Sequence, residues 1–409
     1  MTGLGRPFWL LYTGESTSAV GTAASLIALP VVALHINGDA RQAGLVGTAL
    51  SVGIVAARLP AGVIADRFDR RVLLLVSNLV GTLLLTALAL LQAQGAVPLP
   101  VLITTALLLG AVGSTLAPAE SVAVRSFVPH EQLPRALALV QTRSAVAMVA
   151  GPLAGGALLA VDAGWVFLVD AATFLTAVIC MALLPSGGRA AGSSQAPLRA
   201  AFEGLRFVWK SPFLRYAAVN ATIVNLVFNG LLTVVIAAAG TTRHGSIDVG
   251  VQTAALGAGG LVGSLLAVPA ARRLPPAQGV ASATALIALA LFGFATLHDV
   301  WAATLLLALA ASAGPVITVV VATAQISVTP GDLQGRVHSG ITFLAQAVSP
   351  LGPTLAGFSS HALGLTPTVM SASVLVGVLA VVGAVVIRHT TALTAHRDPA
   401  PEPLEVHRG

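Results

Sequence analysis

An all-α membrane protein is the fold class that the sequence predicts, with twelve transmembrane helices in two six-helix, pseudo-symmetric halves. Three observations predict it. First, the 409 residues are 56% hydrophobic and only 9% charged, with a mean hydropathy of +0.91. An ordinary soluble domain carries roughly 25% charge, so this chain cannot cover itself for water. Second, its apolar residues form continuous runs of the ~20 residues that a helix needs to cross a bilayer, not the alternation of a membrane barrel. Third, the chain repeats at an offset of 201 residues. Gly62, Arg71, Pro129, Arg135, Gly151, Pro152 and Gly156 recur as Gly263, Arg272, Pro330, Arg336, Gly352, Pro353 and Gly357, and Asp332 answers Glu131.

The first span, 9–35, holds Glu15, and its apolar run is too long for the ~7–15-residue core of a cleavable signal. The second, 42–64, leads into "GVIADRFDRR", where Asp66, Arg67, Asp69, Arg70 and Arg71 crowd one turn. Spans 72–93 and 100–124 follow, the latter holding Glu120. Span 136–160 contains Arg143 and "GPLAGG"; span 165–184 contains Asp170 and the single cysteine, Cys180, which excludes a disulfide framework. The longest polar interruption, 185–212, is Gly/Ser-rich, then basic and amphipathic. It reads as a cytoplasmic linker with a surface-lying helix from Phe202 to Trp209, dividing an N-terminal bundle (1–184) from a C-terminal bundle (213–387). The second bundle has spans at 213–240, 249–270, 278–297, 301–326, 337–360 and 366–387. Residues 388–409 read as a disordered cytoplasmic tail.

The net charge of +6 and pI near 10.9 come from topology. With the N-terminus in the cytoplasm, every Lys and Arg except Arg41, Arg58, Arg143 and Arg243 falls on the inner side, the positive-inside bias of a multi-pass inner-membrane protein with both termini cytoplasmic. No nucleic-acid partner is implied. The histidines lack metal-ligand spacing, and "GLRFVWKS" has Trp209 where a phosphate-binding loop needs Gly before Lys210. No metal, cofactor or enzymatic activity is expected, since a membrane enzyme or receptor would show a catalytic cluster or a large extramembrane domain.

Two six-helix halves in parallel repeat place a substrate site between them near the bilayer midplane. "GVIADRFDRRVLLL" resembles the loop signature of the major facilitator superfamily, and "GPLAGG" resembles the signature of that superfamily's antiporters, at Gly151, Pro152, Gly155 and Gly156. "LVDAATFL" and "GRVHSGITFLAQAVSPLGPTLAG" resemble its enterobactin-exporter and macrolide-efflux branch, drug:proton antiporters. The resemblance implies a conformational latch of Gly62, Asp66, Arg67, Asp69, Arg70 and Arg71, closing the inner mouth against the eleventh span. A plain topology signal would explain the arginines but not the two acids. The second copy has Ala267 in place of the acid. The chain departs from the family at Thr22, where many relatives carry Asp, and in "VLITTALLLGAVGS", which lacks the membrane arginine of many proton-driven exporters.

Glu15, Arg58, Glu120 and Arg143 lie at similar depth and form a candidate charge layer for proton coupling, Glu15 being the preferred carrier; a purely structural ion-pair layer is the alternative. Glu15, Ser18, Thr22 and Ser25 share one helix face, as do Thr222, Asn225, Asn229 and Thr233 in the seventh span. These stripes are candidates for the cavity lining, or for hydrogen-bonded contacts between helices. The expected function is export of a small amphipathic compound, an antibiotic, drug or siderophore-like metabolite, by a monomer exchanging protons across the lipid bilayer. A proton-coupled nutrient importer of the same fold is the alternative.

Overall fold

Lipid offers no partner for a backbone N–H or C=O, so apolar runs of this length fold as helices that satisfy themselves. The computed structural model describes residues 4–95, 97–185, 205–239, 245–297, 299–330 and 333–395, with side chains described except at 37, 59–67 and 386–395. Its helices are α1 (Gly5–Asn37), α2 (Ala40–Arg67), α3 (Arg70–Ala93), α4 (Leu99–Phe127), α5 (Leu133–Leu159), α6 (Ala163–Ala182), α7 (Pro212–Ala239), α8 (Gly245–Arg273), α9 (Pro276–Thr296), α10 (Val300–Val328), α11 (Gln334–Ala347), α12 (Leu351–Leu363) and α13 (Leu365–Ala395). Among the described residues there is no strand, and 11 helices are long and apolar enough to cross a membrane.

The remaining crossing is a broken one, which corrects the single helix expected over 337–360. α11 and α12 have 14 and 13 residues, and together they run the length of one span. Pro353 alone does not cause the break, because its repeat mate Pro152 lies inside the unbroken α5. The extra proline, Pro350, stands where the first half has Val149. Two prolines within four residues remove two backbone donors and crowd the preceding carbonyls. The link is held by tight turns, with Leu351 N–H donating to the Val348 carbonyl at 3.0 Å and Gly352 N–H to the Ser349 carbonyl at 3.0 Å. Elsewhere acids start helices: Asp69, Asp162 and Asp299 accept from the backbone N–H groups of Arg71, Gly164 and Ala302 at 2.7–2.8 Å.

The halves repeat one pairing scheme: α2–α4, α3–α6 and α1–α5 in the first, α8–α10, α9–α13 and α7 with α11 and α12 in the second. Each has its own core, with Leu85, Leu102, Phe167 and Phe174 in one and Leu231, Ile287, Leu307 and Ile317 in the other. Most of the expected linker and tail, 186–204 and 396–409, lies outside the described residues. Residues 205–210 are helical, and Val208 is buried against Leu214, Val337 and Ile341.

The face bearing the N-terminus is called here the terminal face, and that bearing the α1–α2 turn the distal face. The halves meet along two seams, α5 on α8 and α2 on α12, and each carries one copy of the duplicated Gly-Pro segment. A Cβ at Gly156 would stand 2.9 Å from the Gly250 Cα, and one at Gly250 2.7 Å from the Pro152 carbonyl oxygen. On the other seam, a Cβ at Gly357 would meet the Ala40 carbonyl at 2.6 Å. In lipid, helices associate through such close backbone packing rather than through expulsion of water. Ile27, Val31, Leu34, Ile236 and Val249 close the distal end between the halves. At its rim Asp39 pairs with Arg41 at 2.7 Å and, across the seam, with His361 at 3.6 Å. On the terminal side, α11 packs on α7 and α10 of its own half. The molecule is therefore sealed at its distal face.

One prediction follows from the seal and a second from its rim. Gly250→Leu forces α5 from α8. Disulfide yield in a His35→Cys/Ser246→Cys pair, whose positions on α1 and α8 line one crevice between the halves beside that seam, falls several-fold in membranes. Gly260→Leu, at a position facing open space, leaves the yield unchanged. The second concerns pH. The hydrogen bond from Arg41 is the largest of the influences that hold the Asp39 carboxyl below its ordinary value. A lowered folded-state value gives stabilisation that is present above the ordinary carboxylate range and lost as pH falls through the folded value. Arg41 stands two residues away on the same turn, so the effect falls on that turn and not on the seam. The small thermal-stability difference between the wild type and Asp39→Asn is present at neutral pH and narrows only below about pH 4.

Candidate functional site

Three of the four candidate charge-layer residues come together inside the N-terminal half. Arg143 on α5 grips Glu120 on α4 as a two-pronged fork, at 2.6 and 2.8 Å, with both side chains about nine-tenths buried. Two parallel charge-assisted bonds are the strongest arrangement these groups offer. Glu15 on α1, 6% exposed, lies within electrostatic reach of both. Its hydrogen bond comes from an amide, Asn78 Nδ2 on α3, at 3.1 Å. Thus Glu120 has a cation of its own and Glu15 has a neutral donor. Arg58 stands apart from this cluster, exposed on α2.

Asn78 is the member that the sequence reading missed. It is fully buried in "LLLVSNLVGTLLL" and also donates to the Leu74 carbonyl at 2.9 Å. A lone amide in so apolar a span must find its partners inside the bundle, and that signal could have found it. Asn220 plays a similar part in the C-terminal half, donating to Thr284 Oγ1 at 2.8 Å.

The α1 stripe turns into its own half. Ser18 and Ser25 are buried, and Thr22 and Ser25 line a chamber of about 390 Å³ walled by α1, α2, α4 and α6, which Arg58 and Asp170 also line. The α7 stripe divides. Thr222 donates to the Leu344 carbonyl of α11 at 3.0 Å and Thr233 is buried, while Asn225 and Asn229 donate back along α7. Asn229 also accepts from Ser51 of the opposite half at 3.5 Å.

The break between α11 and α12 meets a residue of the other half. Thr48 on α2 donates to the Pro350 carbonyl at 2.9 Å, lies 2.6 Å from Thr354 Oγ1, and accepts the Thr354 N–H at 3.1 Å. Thr48 thus occupies the gap that the prolines open in the helix ladder. Of the antiporter-like segment, Gly151 and Gly155 pack on α1 at Val20 and Ala24, and Pro152 and Gly156 on α8.

In the charged corner, Asp69 caps α3, and Arg71 donates to the Met181 carbonyl at 3.2 Å and to the Ala182 carbonyl, tying the corner to the end of α6. Arg70 Nε is buried without a hydrogen-bond partner among the described residues. The side chains of Gly62, Asp66 and Arg67 lie outside the described residues.

Glu120→Gln leaves the buried Arg143 without its carboxylate and costs about 3 kcal/mol of stability. Thermal unfolding in detergent measures this. Glu120→Gln/Arg143→Gln, which removes both charges, recovers part of the loss.

Comparison with known proteins agrees with this architecture. The chain is 28% identical over 402 residues to the multidrug efflux pump Tap of Mycolicibacterium fortuitum, covering 92% of this chain and 95% of that one. It is 26% identical over 384 residues to the multidrug efflux pump Tap of Mycobacterium tuberculosis, covering 89% and 90%. Its fold is similar to that of a variant of the nucleoside transporter NupG (TM-score 0.73, 11% identity, 93% and 99% covered). It is similar also to a bacterial homolog of the human lysosomal transporter Spinster in an inward-facing, occupied conformation (TM-score 0.69, 16% identity, 98% and 100% covered). The family model of the Major Facilitator Superfamily matches residues 11–353. With twelve crossings in two repeated halves and charge buried between helices, the chain belongs to the Major Facilitator Superfamily and is a multi-pass membrane transporter rather than an enzyme.

Proposed function

We propose that this transporter exports a small amphipathic organic compound across the cytoplasmic membrane in exchange for protons. The observation that carries the reading is the unequal pairing in the buried cluster: Arg143 is already neutralised by Glu120, while Glu15 is held by an amide. Of the two acids in this cluster, Glu15 is the one whose proton can be exchanged without breaking an ion pair. Its neighbours Glu120 and Arg143 sense its charge, so each exchange changes the electrostatics between α1, α4 and α5. The names of the Tap relatives support efflux.

In this reading both termini are cytoplasmic, bundles 1–184 and 213–387 move about the linker 185–212, and the distal seal faces outward. The protein acts as a monomer. Rocking of the halves exposes the site between them to either side in turn. Opening the distal face breaks the Thr48 bonds. On the terminal side, Asp66 and Arg67 then close on the start of α11, whose helix N-terminus favours an acid. The Ser51–Asn229 pair marks where the substrate site adjoins the seam.

The test is accumulation of a compound panel in an efflux-deficient bacterium. Expression lowers accumulation of at least one amphipathic compound, an uncoupler restores it, and Glu15→Gln reduces uncoupler-sensitive export about tenfold or more at equal membrane abundance. Export that persists with the uncoupler contradicts proton exchange, and full activity of Glu15→Gln contradicts the assignment of the carrier.

A further inference from the structure

α7 has 28 residues, about 42 Å at the rise of an α-helix, against a hydrocarbon core of roughly 30 Å. Its first turn therefore stands at headgroup level on the terminal side, and the helical residues 205–210 lie just before it. Pro212 has no backbone N–H, which interrupts the ladder there. Ser211 N–H still donates to the Phe207 carbonyl at 3.3 Å, and Arg215 N–H to the Ser211 carbonyl at 2.9 Å. The rotation of this segment is fixed by Val208, which is fully buried against Leu214, Val337 and Ile341. That leaves Arg206, Trp209 and Lys210 on the outside. They stand at spacings of three and four from Arg206, which is one helix face. Trp209 is 48% exposed, and Arg206 and Lys210 are exposed on either side of it. Arg215 adds a third exposed cation in the first turn of α7. None of these three basic side chains has a hydrogen-bond or ion-pair partner among the described residues.

The stretch "LRFVWKSPFLRY", 205–216, carries these three cations and no acid. A topology signal needs basic residues on this side. It needs neither an aromatic among them nor a rotation that turns them all outward. A tryptophan at this depth rests its ring against the upper acyl chains and keeps its N–H among polar groups. Arginine and lysine lay their stems along the same apolar boundary and hold their charged ends out to phosphate. Against a negatively charged leaflet each such side chain adds about fivefold to the preference. We propose that the face of Arg206, Trp209 and Lys210, extended by Arg215, binds the headgroups of anionic phospholipids in the leaflet at the terminal face. The surface involves neither the seams nor the buried charge cluster, so it stands whatever the transporter carries and in whichever direction.

The test is quenching of Trp209 fluorescence in the full chain, reconstituted in phosphatidylcholine nanodiscs. Trp9→Phe, Trp165→Phe and Trp301→Phe, all at exposed positions, leave Trp209 as the only tryptophan. Phosphatidylglycerol or phosphatidylcholine, brominated near the headgroup end of its chains, is titrated in at increasing mole fraction. Half-maximal quenching comes at a mole fraction about fivefold lower, or less still, for phosphatidylglycerol. Arg206→Gln/Lys210→Gln brings the two lipids together, whereas Arg206→Lys/Lys210→Arg, which keeps both charges, preserves the preference. High salt weakens the preference of the unsubstituted face. Should the triple-Phe background fail to fold, the difference between the wild-type chain and Trp209→Phe gives the same signal. Equal half-quenching by the two lipids at the unsubstituted face overturns the proposal, as does a preference that survives in Arg206→Gln/Lys210→Gln. Soluble glycerophosphoglycerol at millimolar concentration leaves the quenching unchanged; relief by it would assign the face to a free phosphate ester and overturn the proposal too. These titrations do not read transport, so a failure of the export reading shows separately, as unchanged accumulation in cells expressing the wild-type chain.

Discussion

Backbone-to-backbone contact at two glycine seams is the constraint on which the rest of the molecule depends. Without a hydrophobic force between helices in lipid, two six-helix bundles stay together only where their backbones can approach closely. Here that approach is supplied twice, by Gly156 on Gly250 and by Gly357 on Ala40. The two seams are related by the internal repeat: Gly151, Pro152 and Gly156 recur as Gly352, Pro353 and Gly357. Duplication therefore placed one gasket on each flank of the interface. With both engaged on the distal side, the apolar plug of Ile27, Val31, Leu34, Ile236 and Val249 follows.

The seams are not identical, and their difference is physical. α5 runs unbroken through Pro152, whereas Pro350 together with Pro353 divides the eleventh crossing into α11 and α12. The divided ladder leaves a carbonyl and an N–H that Thr48, reaching from the other half, satisfies. In lipid those groups have no alternative partner in solvent. The contact thus joins the two halves by hydrogen bonds on one flank and by packing on the other.

Much of this was legible in the chain. Charge scarcity, apolar run lengths and the 201-residue repeat determine the class and the halves, because each reports a requirement of the bilayer and not of a particular packing. Depth alone anticipates that two acids and two bases form one charge layer, but not that Arg143 takes Glu120. What could not be anticipated was rotation of helices about their axes. Nothing in the spacing of Glu15, Ser18, Thr22 and Ser25 says whether that face looks between the halves or into its own bundle; Gly21, packed against Asp170, settles it inward. Arg58 shares the depth of the other charges but lies on the chamber wall. Thr48 and Asn78 look like ordinary polar residues in apolar spans until their partners, 302 and 63 residues away, are seen.

The central claim, that the repeat-related seams act as one seal, is tested most directly by pulsed electron–electron resonance on the reconstituted protein. Spin labels are placed between the halves beside the first flank, at positions 35 on α1 and 246 on α8, and in a second sample across the other flank at 41 and 361. The account predicts that both pairs show a short-distance population and that any condition that lengthens one lengthens the other by the same fraction. Lengthening at one flank while the other stays closed would contradict it.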